Sequence, residues 1–131
     1  MKLLLDTHIW LWSLLEPARL GRRTAAALED PDNELWLSPI SVWETLMLAE
    51  RKRVVLLPDA EQWVRSCLAR LPFHEAAVNA EVALTSRALK IPCDDPADRF
   101  LAATARVYEL TLVTADARLR RIPHVAVLPN T

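Results

Sequence analysis

The chain has 131 residues, with 16 Lys and Arg against 17 Asp and Glu and 52% hydrophobic residues. That length suits one domain with one core, residues 1–131, and a formal net charge of −1 excludes a globally basic surface of the kind that drives non-specific nucleic-acid binding. A single glycine, Gly21, excludes the glycine-rich phosphate loops of the Walker and dinucleotide-binding kinds, so any phosphate contact must use a metal or cationic side chains.

The chain opens on Lys2 Leu3 Leu4 Leu5 Asp6 Thr7, an unbroken apolar run that predicts a buried strand ending in a carboxylate. Three leucines are too few for a signal-peptide core or a membrane span. Residues 8–15 read as an apolar, Trp-bearing helix closed by Pro17, and a second helix is predicted over 19–29. Asp30 Pro31 Asp32 Asn33 is a turn, residues 34–37 are a second strand, and 38–51 are a helix with Ile40, Trp43, Met47 and Leu48 on or near one face. Residues 54–57 connect to a helix over 60–70, after which 71–73 are expected as a short third strand. A helix over 79–89 should bury Val82, Leu84 and Leu89, and Pro92 lies beyond it. Asp95 Pro96 Ala97 Asp98 starts a long helix through 108, residues 111–113 form a buried strand running into Thr114 Ala115 Asp116, and a helical turn at 117–120 leads to a closing strand at 125–128. Strands alternating with helices of this length predict an α/β fold with a central, mainly parallel sheet flanked by helices.

Cys67 and Cys93 have no ligand-like spacing and read as reduced thiols of a cytoplasmic protein. Five tryptophans are many for this length, which leaves apolar surface for a partner or a second copy. The basic clusters, Arg19 with Arg22 and Arg23, Arg51 to Arg53, and Arg118 with Arg120 and Arg121, are expected to be solvated helix faces and turns. His8, His74 and His124 show no ligand spacing.

Each acid at a helix start has a local explanation, because Asp and Ser satisfy the free N–H groups there. Asp6 and Asp116 would each cap the helical segment next to it, Ser41 to Glu44 has capping-box spacing, and Asp95 is a good cap before Pro96. Together they suggest more. In a parallel α/β sheet the residues after each strand gather along one rim, so Asp6, Glu44, Asp98 and Asp116 would converge. Two carboxylates about 4 Å apart cost on the order of 4 kcal/mol at an effective dielectric near 20, and a divalent cation relieves that repulsion. Oxygen-only ligands indicate Mg²⁺ or Mn²⁺, whose chemistry at a phosphodiester is hydrolysis. Thr7, Ser41 and Thr114 are placed either to orient carboxylates and water or to cap helices, and Asp95 is either a fifth acid or only the cap. Arg99, the nearest cation, is expected in a structural ion pair.

The ordered set Leu3 Leu4 Leu5 Asp6 Thr7 His8, Ser38 with Ile40 Ser41 Val42 Trp43 Glu44, Asp95 Pro96 Ala97 Asp98 Arg99, and Leu112 Val113 Thr114 Ala115 Asp116 resembles the motifs of PIN-domain ribonucleases, more narrowly the VapC-type toxins of toxin-antitoxin pairs. The resemblance covers essentially the whole chain. It implies a Mg²⁺- or Mn²⁺-dependent endoribonuclease whose catalytic and metal residues are Asp6, Glu44, Asp98 and Asp116. It further implies an RNA substrate, a VapB-type antitoxin and a homodimer. Many relatives carry His where Cys93 stands and Phe where Ala97 stands, and neither change removes a carboxylate. Two alternatives remain: a catalytically inactive PIN-like binding module whose acids only cap helices, and a phosphoaspartyl phosphotransfer domain with Asp6 as nucleophile. The second lacks its usual companions, since His8 stands where a second Asp is wanted and no late strand-end lysine is present.

Overall fold

Leu3, Leu4 and Leu5 are each no more than 1% exposed, and in an extended strand successive side chains point to opposite faces. Burial of each contributes about 1.5–3 kcal/mol. A computed structural model describes residues 1–131. It places this strand, β1 (Lys2–Leu5), at the centre of a five-stranded sheet ordered β3-β2-β1-β4-β5, with β2 at Glu34–Leu37, β3 at His74–Glu75, β4 at Thr111–Thr114 and β5 at Val127–Pro129. All neighbouring strands are parallel. Leu4 and Leu112 pack against α5 (Ala80–Ala88) and α6 (Pro96–Val107), through Val82, Leu101 and Ala105. Leu3, Leu5 and Val113 face the other way, onto Ile9 and Trp10 of α1 (Thr7–Leu15) and Val64 of α4 (Ala60–Arg70). Leu28 of α2 (Arg22–Glu29) and Val42 and Leu46 of α3 (Pro39–Glu50) close that second core. No helix is long and apolar enough to cross a membrane.

Several expected elements shift. The third strand lies at His74–Glu75, pairing with Trp36 and Leu37, rather than at 71–73. Phe73 is drawn into the second core, its ring edge-on to Trp10, and its N–H donates to the Leu71 carbonyl, so strand pairing starts one residue later. The helix expected over 19–29 divides into a 3-10 turn, Pro17–Arg19, and α2. Leu20 and Gly21 are extended between them, and a Cβ at Gly21 would lie 1.9 Å from the carbonyl carbon of Thr131, whose oxygen accepts from the N–H groups of Arg23 and Thr24. Leu84 is 69% exposed, against the expectation that it is buried, and Trp43, expected on or near one face with Ile40, Met47 and Leu48, is 55% exposed. α3 turns Ser41 and Thr45 inward, and α5 turns Val82 and Ser86 inward with Leu89 just beyond, leaving the two large residues on the outer faces. The last strand begins at Val127 rather than 125, since Val125 is engaged in an antiparallel bridge to Ile122 around a left-handed His124.

Candidate active site

Strand order reverses direction about β1, with β2 on one side and β4 on the other, and in such sheets the crevice at the strands' C-terminal ends is the natural binding position. Asp6 leaves β1 there. Its Oδ1 accepts from the Thr7 N–H at 2.7 Å, capping α1, and its Oδ2 accepts from the Thr114 hydroxyl at the end of β4, also at 2.7 Å. Thr114 Oγ1 in turn accepts from the Asp116 N–H at 3.1 Å. Asp116 caps the 3-10 turn Ala117–Leu119 through the Arg118 N–H at 2.9 Å.

Glu44 comes from α3. That helix starts at Pro39 with Ser38 as its cap, accepting from the Ile40 N–H, so the capping-box alternative for Ser41 and Glu44 does not hold. Both lie inside the helix. Thr7 Oγ1 donates to Glu44 Oε1 at 2.5 Å and lies 3.0 Å from Ser41 Oγ, fastening α3 to the start of α1. Asp95 caps α6, accepting from the N–H groups of Ala97 and Asp98, and that cap sets Asp98 one turn in. Asp98 Oδ2 accepts from the Cys93 thiol at 3.3 Å and from Arg118 Nη2 at 3.4 Å.

Asp6, Glu44, Asp95, Asp98 and Asp116 line one open cleft of about 440 Å³, so Asp95 is both cap and cleft acid. Desolvation pushes the Glu44 carboxyl up to about 7; the Thr7 hydroxyl opposes this, and the charges of Asp6, Asp98 and Asp95 add to it. Asp98 is pushed up to about 6, again chiefly by desolvation, with Cys93 opposing and Asp6, Asp95 and Asp116 adding. Burial raises Asp6 against the hydrogen bonds from Thr114 and Thr7. Asp116 moves the other way, lowered by the hydrogen bond from Arg118.

A carboxyl whose pKa is raised on folding holds its proton more tightly folded than unfolded, so its contribution to stability is present at low pH and lost as pH rises. For Glu44 and Asp98 the window runs from their ordinary values of 4.5 and 3.8 to about 7 and about 6. Calorimetric melting temperature in chelator should therefore fall between about pH 4 and pH 7. Glu44→Gln should flatten that slope; an unchanged slope would contradict the raised pKa of Glu44.

The donors facing the cleft are carboxylate and hydroxyl oxygens, a set that fits a hard divalent cation. As placed, no three acids close on one point as a coordination group. Asp116 is turned onto the guanidinium of Arg118, with contacts of 2.7, 3.1 and 3.3 Å. Arg118 is thus the cation at the cluster, which the sequence pattern placed among solvated arginines. Arg99, expected in an ion pair, instead donates to the carbonyls of Ser86, Leu89 and Cys93 at 2.9, 2.7 and 3.0 Å and is 8% exposed. Cys93, His8, Trp12 and Arg19 also escaped sequence reasoning as neighbours of the acids. Only the two-residue spacings, Asp6 to His8 and Asp116 to Arg118, hinted at this.

Residues 3–125 match the PIN domain family. Ribonuclease VapC22 of Mycobacterium tuberculosis (strain ATCC 25618 / H37Rv) is 36% identical over 124 residues, 92% of this chain and 92% of that protein. The crystal structure of VapBC2 from Rickettsia felis, bound to a DNA fragment from its promoter, shares the fold with a TM-score of 0.71 at 18% identity, covering 98% of each chain. A toxin-antitoxin complex from Klebsiella pneumoniae gives a TM-score of 0.62 at 25% identity, covering 98% of this chain and 97% of that one. With the match running from β1 past β4, and so through all four acids at the rim, the chain belongs to the PIN domain family.

Proposed function

We propose that this chain is a ribonuclease, a hydrolase of RNA phosphodiester bonds and the toxin of a type II toxin-antitoxin pair, acting as one PIN domain over residues 1–131. The observation that carries the reading is the gathering of Asp6, Glu44, Asp98 and Asp116 from β1, α3, α6 and the end of β4 into one cleft at the sheet's switch point. The similarity to a named ribonuclease over nearly the whole chain gives the reaction class.

Asp6, Asp98, Asp116 and Glu44 would hold Mg²⁺ or Mn²⁺. Such an ion, when bound, acidifies water and offsets the charge of the phosphodiester. The chain's own groups do the rest. Thr114 and the Thr7 N–H fix both oxygens of Asp6, so the most buried acid meets the cleft in one orientation. Thr7, backed by Ser41, holds one oxygen of Glu44. That leaves the other oxygen of Glu44 for the ion or for a water in the cleft. Arg118, paired with Asp116 and Asp98, offsets part of the negative charge of the cleft.

The solved neighbours include toxin-antitoxin complexes, which supports a VapB-type antitoxin as partner. Exposed Trp43 on α3 and exposed Val55 and Leu57 leave apolar surface suited to that partner or to a homodimer. The site of action would be the cytoplasm, where RNA is at hand.

The test is incubation of the purified chain with total cellular RNA, with mapping of the cut ends. Discrete cleavage sites are expected with Mg²⁺ or Mn²⁺ and none with chelator. Intact RNA at every metal concentration, together with no calorimetric Mn²⁺ binding, would establish the inactive binding module instead.

A further inference from the structure

The carboxylates of the cleft are held mostly by neutral donors. Thr7 and Thr114 offer hydroxyls and Cys93 a thiol, so they orient Glu44, Asp6 and Asp98 without cancelling their charge. Arg118 is the exception. Its Nη2 lies 2.7 Å from Asp116 Oδ2 and 3.4 Å from Asp98 Oδ2, so one nitrogen spans two carboxylates that arrive from the end of β4 and from α6. Its Nε adds contacts of 3.1 and 3.3 Å to the two oxygens of Asp116. No other acid of the cleft has an ion pair of this kind.

The guanidinium therefore engages oxygens that a divalent cation would need. Two cations drawn to the same pair of carboxylate oxygens compete for their lone pairs and repel each other at contact distance, so both cannot be satisfied together. Arg118 is free to yield. Its side chain is 55% exposed, and it stands on the 3-10 turn Ala117–Leu119, which buried Leu119 anchors from below. Turning that side chain into water breaks no backbone hydrogen bond, because the Arg118 N–H still donates to Asp116 Oδ1 and keeps the turn capped.

We propose that Arg118 is an internal counter-ion that competes with the divalent cation for Asp98 and Asp116, so that loading the cleft requires its guanidinium to swing out. The device rests on the reading of the cleft as a site for Mg²⁺ or Mn²⁺ and adds to it a residue that sets how tightly the ion is held. Arg118 closed over the two acids neutralises them and steadies the cleft; Arg118 turned outward leaves both carboxylates to the ion.

The test is calorimetric Mn²⁺ binding to the full chain, with Arg118→Ala and Arg118→Gln beside the unsubstituted protein. A contact closed about nine-tenths of the time weakens apparent affinity about tenfold, so both variants should bind Mn²⁺ about tenfold more tightly. Arg19→Gln removes a charge that lines the same cleft but pairs with Glu16 instead of its acids, and should change the affinity by less than about twofold. The contact itself is read by NMR: the Arg118 Nε–H resonance, identified by its loss in Arg118→Gln, should move toward the position of a solvated arginine as Mg²⁺ is added. Should one Arg118 variant fail to fold, the other and the resonance decide. Equal or weaker Mn²⁺ binding by the Arg118 variants would overturn the proposal, as would equal tightening by Arg19→Gln or a resonance unmoved at saturating Mg²⁺; in each of these cases metal still binds and the metal reading stands. Binding by the Arg118 variants alone would support the proposal. If neither they nor the unsubstituted chain bind Mn²⁺, both readings fall.

Discussion

Asp98→Asn and Asp6→Asn, tested separately, should each lower metal-dependent RNA cleavage by at least about a hundredfold while the protein stays folded. The two parts of that result have different causes. Activity falls because an amide has neither the negative charge nor the ligand strength of a carboxylate at the cleft. The fold survives because burial already disfavours the charged form of both carboxyls, so removing the charge does not cost stability. The Asn oxygen at position 6 can still accept from Thr7 N–H and remain a helix cap. Far-UV circular dichroism and melting temperature check the fold, and single-turnover cleavage checks the activity. Undiminished cleavage by both purified variants would remove the acidic site from the reaction.

Arg99→Ala should produce the largest loss of stability of any single change near the site. The guanidinium is buried, pairs with no carboxylate and satisfies three carbonyls around the end of α5 and the loop into α6. These include Ser86 in the last turn of α5 and its cap Leu89, where the helix dipole also favours a positive charge. Alanine leaves three buried acceptors without donors, each worth about 1–3 kcal/mol when unmet. A total of about 3–5 kcal/mol is expected in urea denaturation, since water reaches some of the vacated space. Arg99→Lys should recover only part, because one ammonium cannot copy a planar fork aimed at three carbonyls. A loss below about 1 kcal/mol for Arg99→Ala would show that the loop is held by something else.

The same loop shows where sequence stops being informative. β1 was legible because an unbroken apolar run entering an acid has few alternatives, and the start of α6 because Asp95 before Pro96 is a strong local signal. Glu44 required only the period of α3. Arg99 and Arg118 depend on contacts made after the chain has folded back on itself. Nothing adjacent to Arg99 announces the carbonyls of Ser86 and Leu89. Arg118 looked like one of several surface arginines until the turn after β4 aimed it at Asp116. β3, with two residues, is too short to show a period, and its position is decided by where Phe73 is pulled. Leu84 was misplaced because hydrophobicity alone suggested the inward face, while the inward face of α5 carries Val82 and Ser86.

The hydrogen bond from Thr114 to Asp6 joins residues 108 positions apart. The acid on β1 takes its fixed orientation only once β4 has paired alongside it, so completion of the cleft is coupled to the formation of a long-range strand pair and not to the folding of any local segment.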